Sequence, residues 1–111
     1  MSFEFSRDSV RDLTPEEVAK ELQAGRIILV DVREPNETAL ERIPGSVLVP
    51  LSCFDADDIP NPEGREVVFS CRSGNRSVKA SELAQATGLP YKAHLAGGII
   101  AWKAAGYPTE Q

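Results

Sequence analysis

The sequence is poor in the residues that build most specialised chemistry. Among 111 residues there are two cysteines, Cys53 and Cys71, and one histidine, His94. A structural zinc site normally draws on four Cys or His ligands at paired spacing, a pattern this inventory cannot fill. No apolar run approaches the roughly 20 residues that cross a bilayer. The opening Met1-Ser2-Phe3-Glu4-Phe5-Ser6-Arg7-Asp8 lacks the apolar core of an export signal. Two cysteines without such a signal read as free thiols of a cytoplasmic protein rather than as a disulfide. Basic runs are missing too. With 12 Lys and Arg against 17 Asp and Glu, the formal net charge of -5 argues against nucleic acid as a partner, while leaving room for a locally positive site. Repeats, low-complexity tracts and linkers are also lacking, so residues 1–111 read as one domain.

What is present suffices for a core, at 41% hydrophobic residues and 26% charged. Thr14 and Glu17 form a capping box around Pro15, opening a helix that runs to about Ala24 and stops at Gly25. Ile27-Ile28-Leu29-Val30 is apolar, β-branched and short, the pattern of a strand buried on both faces. A short helix is predicted between Pro35 and Arg42, and Val47-Leu48-Val49 as a second buried strand. Asp55 to Arg65 reads as a surface connection, and Val67-Val68-Phe69 as a third buried strand. A helix over Ser77 to Thr87 offers Val78, Leu83 and Ala84 to a sheet. Tyr91 to Leu95 fits a fourth strand, and Ile99 to Ala105 a last helix. Strands alternating with helices predict an α/β fold with a mainly parallel sheet, whose active sites form beyond the carboxyl ends of strands. Cys71 falls at such an end.

From Val67 to Ser77 the chain therefore reads as strand, loop and helix start. A loop that turns tightly into a helix N-terminus can aim several backbone N–H groups inward as an anion cradle. Gly74 and Asn75 tolerate the backbone angles this requires, and Arg72 and Arg76 add charge to the helix dipole. A thiol in that setting is stabilised as thiolate, the reactive form. A cysteine that only packs has no use for two guanidinium groups within five residues, so Cys71 is the candidate nucleophile.

Cys71-Arg72-Ser73-Gly74-Asn75-Arg76-Ser77 resembles the active-site loop of single-domain rhodaneses, the thiosulfate sulfurtransferases. The resemblance extends from about Leu13 to Pro108. It takes in Val30-Asp31-Val32-Arg33-Glu34, Ile43-Pro44-Gly45-Ser46, Leu95-Ala96-Gly97-Gly98-Ile99, Ala101-Trp102 and Gly106-Tyr107-Pro108. It implies a rhodanese-like five-stranded, mainly parallel sheet flanked by helices on both faces, with neither metal nor organic cofactor. It also implies sulfur transfer through a Cys71 persulfide. The donor would be a small anion, thiosulfate or a persulfide, bound by Arg72, Ser73, Gly74, Asn75 and Arg76. The acceptor would be cyanide, a small thiol, or a sulfur-carrier or thiol protein. No membrane partner is implied. In many relatives a histidine precedes Ile-Pro-Gly where this chain has Arg42, which bears on donor recognition there.

Other residues have plainer readings. Asp31 is expected to support the active loop, while Arg33 is open between that network and a surface charge. Trp102 is expected in the core. His94 is read as a satisfied or solvated histidine, and Cys53 as packing rather than as a resolving thiol for Cys71. Gly97-Gly98 lacks the rest of a nucleotide-loop pattern and reads as a backbone turn. Two other functions stay open: a non-catalytic rhodanese-like binding module, and a cysteine phosphatase or arsenate reductase. The latter enzymes hold one residue more between nucleophile and arginine than the four between Cys71 and Arg76.

Overall fold

Apolar β-branched runs become strands, and the capped amphipathic segments between them become helices. A computed structural model describes residues 10–111; the opening Met1–Asp8, read above for an export signal, lies outside them. In chain order the elements are β1 (Arg11–Leu13), α1 (Pro15–Gln23), β2 (Ile27–Asp31), α2 (Pro35–Leu40), β3 (Val47–Leu48), β4 (Glu66–Ser70), α3 (Asn75–Ala86), β5 (Ala93–Leu95) and α4 (Gly98–Ala104). The predicted capping box is formed: Thr14 Oγ1 accepts from the Glu17 amide, and Glu17 accepts from the Thr14 amide. The strands make one parallel sheet in the order β1-β5-β4-β2-β3, as expected from the alternation of elements.

Alternate residues of the central strands feed two cores. Ile27, Leu29 and Val68 pack with Val18 of α1 and with Ile99 and Trp102 of α4. Ile28, Val30, Val67 and Phe69 pack on the other face, against Ala80 and Ala84 of α3. Burying each large aliphatic or aromatic side chain contributes about 1.5–3 kcal/mol. Trp102 is in the core as expected, and its indole N–H donates to the Pro108 carbonyl at 2.8 Å. Among the described residues, no helix is long and apolar enough to cross a membrane.

Two expectations need correction, and one strand was not foreseen. β1 was not predicted, because Arg11-Asp12-Leu13 carries no run or alternation; it exists by pairing with β5 at the sheet edge. Val47-Leu48-Val49 is not a buried strand. β3 holds two residues at the opposite edge, where Leu48 is exposed and only Val49 reaches the core. On α3 the face against the sheet is Ser77, Ala80, Ser81 and Ala84, with Val78 and Leu83 only partly covered. Small residues let this helix lie close on the strands, so its inner face carries little of the apolar signal that periodicity detects.

This topology fixes the site. From β2 the chain moves outward to β3, whereas from β4 it moves the other way to β5. The crevice beyond the carboxyl ends of β2 and β4 is therefore the switch point at which such sheets bind ligands.

Candidate active site

Cys71 leaves the end of β4, and Gly74 caps α3 with a left-handed φ of 108°. The turn folds the chain back over the thiol. Gly74 N–H donates to Cys71 Sγ at 3.1 Å and Ser77 N–H at 3.4 Å, both from the start of α3. Cys71 is only 2% exposed and belongs to the same core as Phe69. Two main-chain donors converge on one sulfur, and the α3 N-terminus contributes its dipole in the same place.

The start of α4 holds this loop in shape. Ile99 N–H donates to the Cys71 carbonyl at 2.9 Å, and Ile100 N–H to that of Arg72 at 3.1 Å. Because a trans peptide sets C=O and N–H on opposite sides, anchoring these carbonyls turns the Arg72 and Ser73 amides away from α4. The approach requires Gly98, whose Cβ would sit 2.3 Å from the Cys71 oxygen. Gly97-Gly98 is thus the backbone turn expected, with left-handed φ at both residues, and it also makes room for the loop.

The two loop arginines have different fates. Arg76 grips Glu37 of α2 through both terminal nitrogens, at 2.7 and 2.9 Å. That ion pair lowers the Glu37 carboxyl from its ordinary 4.5 to about 2, and it raises Arg76 further above its own value. Arg76 thus interacts electrostatically with Cys71 as well, but its guanidinium hydrogen bonds go to a carboxylate. Arg72 is exposed and lines a cleft of about 340 Å³ together with Arg33, Glu37, Glu41, Lys103 and the apolar Leu40 and Ile100. The other cations of that cleft have carboxylate partners: Arg33 pairs with Asp31 and Lys103 with Glu41. Ser73, Gly74 and Asn75 line a smaller cleft on the other side of the loop, with His94 and Gly97.

Asp31 and Arg33 are both buried and joined by a forked pair of hydrogen bonds, the shortest 2.8 Å; Arg33 Nη2 also donates to the Glu41 carbonyl. The charged side chains at the end of β2 are thus a built network beside the active loop. Arg42 does not enter the cleft that Arg72 lines. It forms a bridge and an ion pair with Glu110.

Cys53 does not pack inside. It is exposed and unlinked, and it lines a separate groove with Phe54, Leu83 and Thr87. Leu83 lies eight residues along α3 from Asn75, about 12 Å of helix axis at 1.5 Å per residue. Its groove thus borders the second half of the helix whose first turn holds Cys71. His94 is satisfied rather than solvated: it is 1% exposed, 2.8 Å from Ser77 Oγ through Nδ1 and 2.6 Å from Asp12 Oδ1 through Nε2. Among the described residues no three His, Cys, Asp or Glu side chains gather as a metal site.

A comparison with protein-family models matches the rhodanese-like domain over residues 14–105. The chain belongs to the rhodanese-like family. A sulfurtransferase of Allochromatium vinosum is 38% identical over 74% of this chain and 77% of its own length. An uncharacterized Synechocystis protein is 39% identical over 87% of the chain and 54% of its own length, so the rhodanese-like chain spans about half of that relative. Among solved structures, a Rhodopseudomonas palustris protein of unknown function, named as a possible tyrosine phosphatase, superposes with a TM-score of 0.78 at 32% identity. It covers 93% of this chain and 86% of the other.

Sequence reasoning missed Asp12, Glu37 and Gly98 as parts of this site, and the contacts of the Ser77 side chain with Cys71 and His94. One signal was available for Asp12 and Ser77. A histidine on a strand buried on both faces must find hydrogen-bond partners. Ser77, in the first turn of the helix that begins at the loop, was within reach.

Proposed function

We propose that this rhodanese-like protein is a sulfurtransferase that carries sulfane sulfur on Cys71. The observation that carries the reading is the convergence of the Gly74 and Ser77 amides on Cys71 Sγ at the switch point of the sheet. Hydrogen bonds to an ionised acceptor are about twice as strong as neutral ones, so such a cradle favours sulfur as an anion.

In the first half-reaction the Cys71 thiolate attacks the outer sulfur of thiosulfate or a persulfide. The donor S–S bond breaks, sulfite or a thiolate leaves with the electron pair, and Cys71 becomes a persulfide. In the second, a thiophilic acceptor (cyanide, a small thiol, or a sulfur-carrier or thiol protein) attacks the outer sulfur and Cys71 leaves as thiolate. Dividing the transfer this way replaces one difficult step by two easier ones. Amides from Arg72 through Arg76 hold the persulfide, with Ser73, Gly74 and Asn75 acting through the main chain. The Arg72 guanidinium, which has no carboxylate partner among the described residues, orients the donor anion from the cleft rim. Arg76 acts indirectly, fixing the first turn of α3 to α2 through Glu37. The Asp31–Arg33 pair supports the loop from below. A free nucleophilic thiol suits a reducing, cytoplasmic setting.

The test is thiosulfate:cyanide transfer by the intact protein and by Arg72→Ala. Removing that one rim cation should raise the apparent KM for thiosulfate and leave the melting temperature unchanged. Transfer that is absent from the parent, with every donor tried, would refute the reading.

A further inference from the structure

β5 lies between β1 and β4, and all three of its residues are buried. In that apolar strand His94 joins a hydrogen-bonded line that begins at Asp12 on β1, its register partner, and ends at the candidate nucleophile. Asp12 Oδ1 is 2.6 Å from His94 Nε2, and His94 Nδ1 is 2.8 Å from Ser77 Oγ. Ser77 Oγ is in turn 3.5 Å from Cys71 Sγ. Ser77 is fully buried, so its hydroxyl is shielded from bulk water.

We propose that Asp12, His94 and Ser77 form a proton relay that ionises the Cys71 thiol, an assignment that rests on the sulfur-transfer reading above. A carboxylate only accepts, so Nε2 carries a hydrogen and donates it to Asp12. That leaves Nδ1 of the neutral ring as an acceptor facing the Ser77 hydroxyl. The Cys71 S–H proton passes to Ser77 Oγ as the Ser77 O–H proton passes to His94 Nδ1. The products are a thiolate and an imidazolium, the latter held by the Asp12 carboxylate; no proton enters or leaves. With the ring doubly protonated, Nδ1–H donates to Ser77 Oγ. The hydrogen now on Oγ came from Cys71 and stays on the sulfur side, where it can donate to the thiolate, with the Gly74 carbonyl 3.1 Å away as its alternative acceptor. Sulfur carries charge at the start of the first half-reaction and again when Cys71 leaves in the second, so the same chain serves both. His94 and Asp12 act through Ser77 and are positioning residues.

A network that only satisfied buried polar groups would matter to folding and not to the thiol, so the decisive readout is the thiol itself. In a Cys53→Ser background, Cys71 is the single cysteine. Its alkylation rate with iodoacetamide and its thiolate ultraviolet absorbance can be followed at neutral pH, beside melting temperature and thiosulfate:cyanide turnover. Ser77→Ala and His94→Gln should each slow alkylation and turnover on the order of 10²-fold, the lower end of acid–base effects. Ser77→Thr, which keeps the hydroxyl, should restore much of the rate. Asp12→Asn, at a half-exposed position where solvent screens the charge, should cost about 3-fold. If His94→Gln does not fold, Ser77→Ala and Asp12→Asn decide. Unchanged alkylation in these variants, with sulfur transfer intact, would overturn the relay and leave the sulfurtransferase reading standing. Slowed alkylation in these variants, with a parent protein that transfers no sulfur, would support the relay and refute that reading.

Discussion

The dependence of the active loop on Gly98 gives a prediction whose size follows from geometry. In Gly98→Ala the new Cβ would lie 2.3 Å from the Cys71 oxygen and 2.5 Å from that of Arg72. Carbon–oxygen contacts settle near 3.3 Å, so loop and helix must part by about 1 Å. The φ of +58° adds roughly 1–2 kcal/mol of strain for any side chain. A shift of about 1 Å in a reacting group can cost on the order of 10²-fold in rate. Gly106→Ala is the internal control. Its φ is +88°, and nothing lies within 4 Å of the added carbon, so it bears the strain without the clash. In denaturant melts Gly106→Ala should lose about 1–2 kcal/mol and Gly98→Ala about 2–4 kcal/mol. In thiosulfate:cyanide assays Gly106→Ala should match the parent, while Gly98→Ala falls on the order of 100-fold. Equal turnover in the two variants would refute the claim that α4 sets the shape of the loop.

Further outcomes follow from the charges and the loop length. Because the Glu37 carboxyl is held down to about 2 by Arg76, its contribution is complete above the ordinary 4.5 and is lost as pH falls toward about 2. After allowance for solvent screening, Glu37→Gln should therefore cost about 1–2 kcal/mol in denaturant melts at neutral pH. The gap from the parent should close across that acid window, and a gap independent of pH would contradict the pairing. Asp31→Ala strands the buried Arg33 charge and should cost about 3–5 kcal/mol; the double variant with Arg33→Met should recover part of it in the same melts. With four residues between Cys71 and Arg76, one fewer than the resemblance assigns to cysteine phosphatases, the ring of amides is expected to be tighter than theirs. Hydrolysis of aryl phosphates should be negligible beside sulfur transfer, and phosphatase turnover exceeding it would show the loop had been misread.

Much of this was legible in the chain because the informative residues are local. A capping box, a β-branched run and the Cys71 to Ser77 loop each declare themselves within a few positions, and their alternation is enough to imply a parallel sheet. What escaped depends on contacts between distant segments. β1 exists only through pairing with β5, and the inner face of α3 uses Ser and Ala, whose small size matters more than their polarity. The Arg76–Glu37 pair joins residues 39 positions apart, so the sequence could supply the charge of Arg76 but not its partner. His94 and Asp12 are 82 apart, and only strand register brings them together. Cys53 was misplaced for a simpler reason. Free cysteines are usually buried, and nothing beside it in Leu51-Ser52-Cys53-Phe54 reports that this short turn faces outward.

The most direct test of the central claim is intact-protein mass spectrometry after exposure to thiosulfate, with peptide mapping of the modified site. The parent should gain the mass of one sulfur atom on Cys71 and lose it on addition of cyanide. Cys53→Ser should behave the same way, and Cys71→Ser should gain nothing. Loading that persists in Cys71→Ser, or a parent that turns over thiosulfate without ever carrying sulfur on Cys71, would contradict the account.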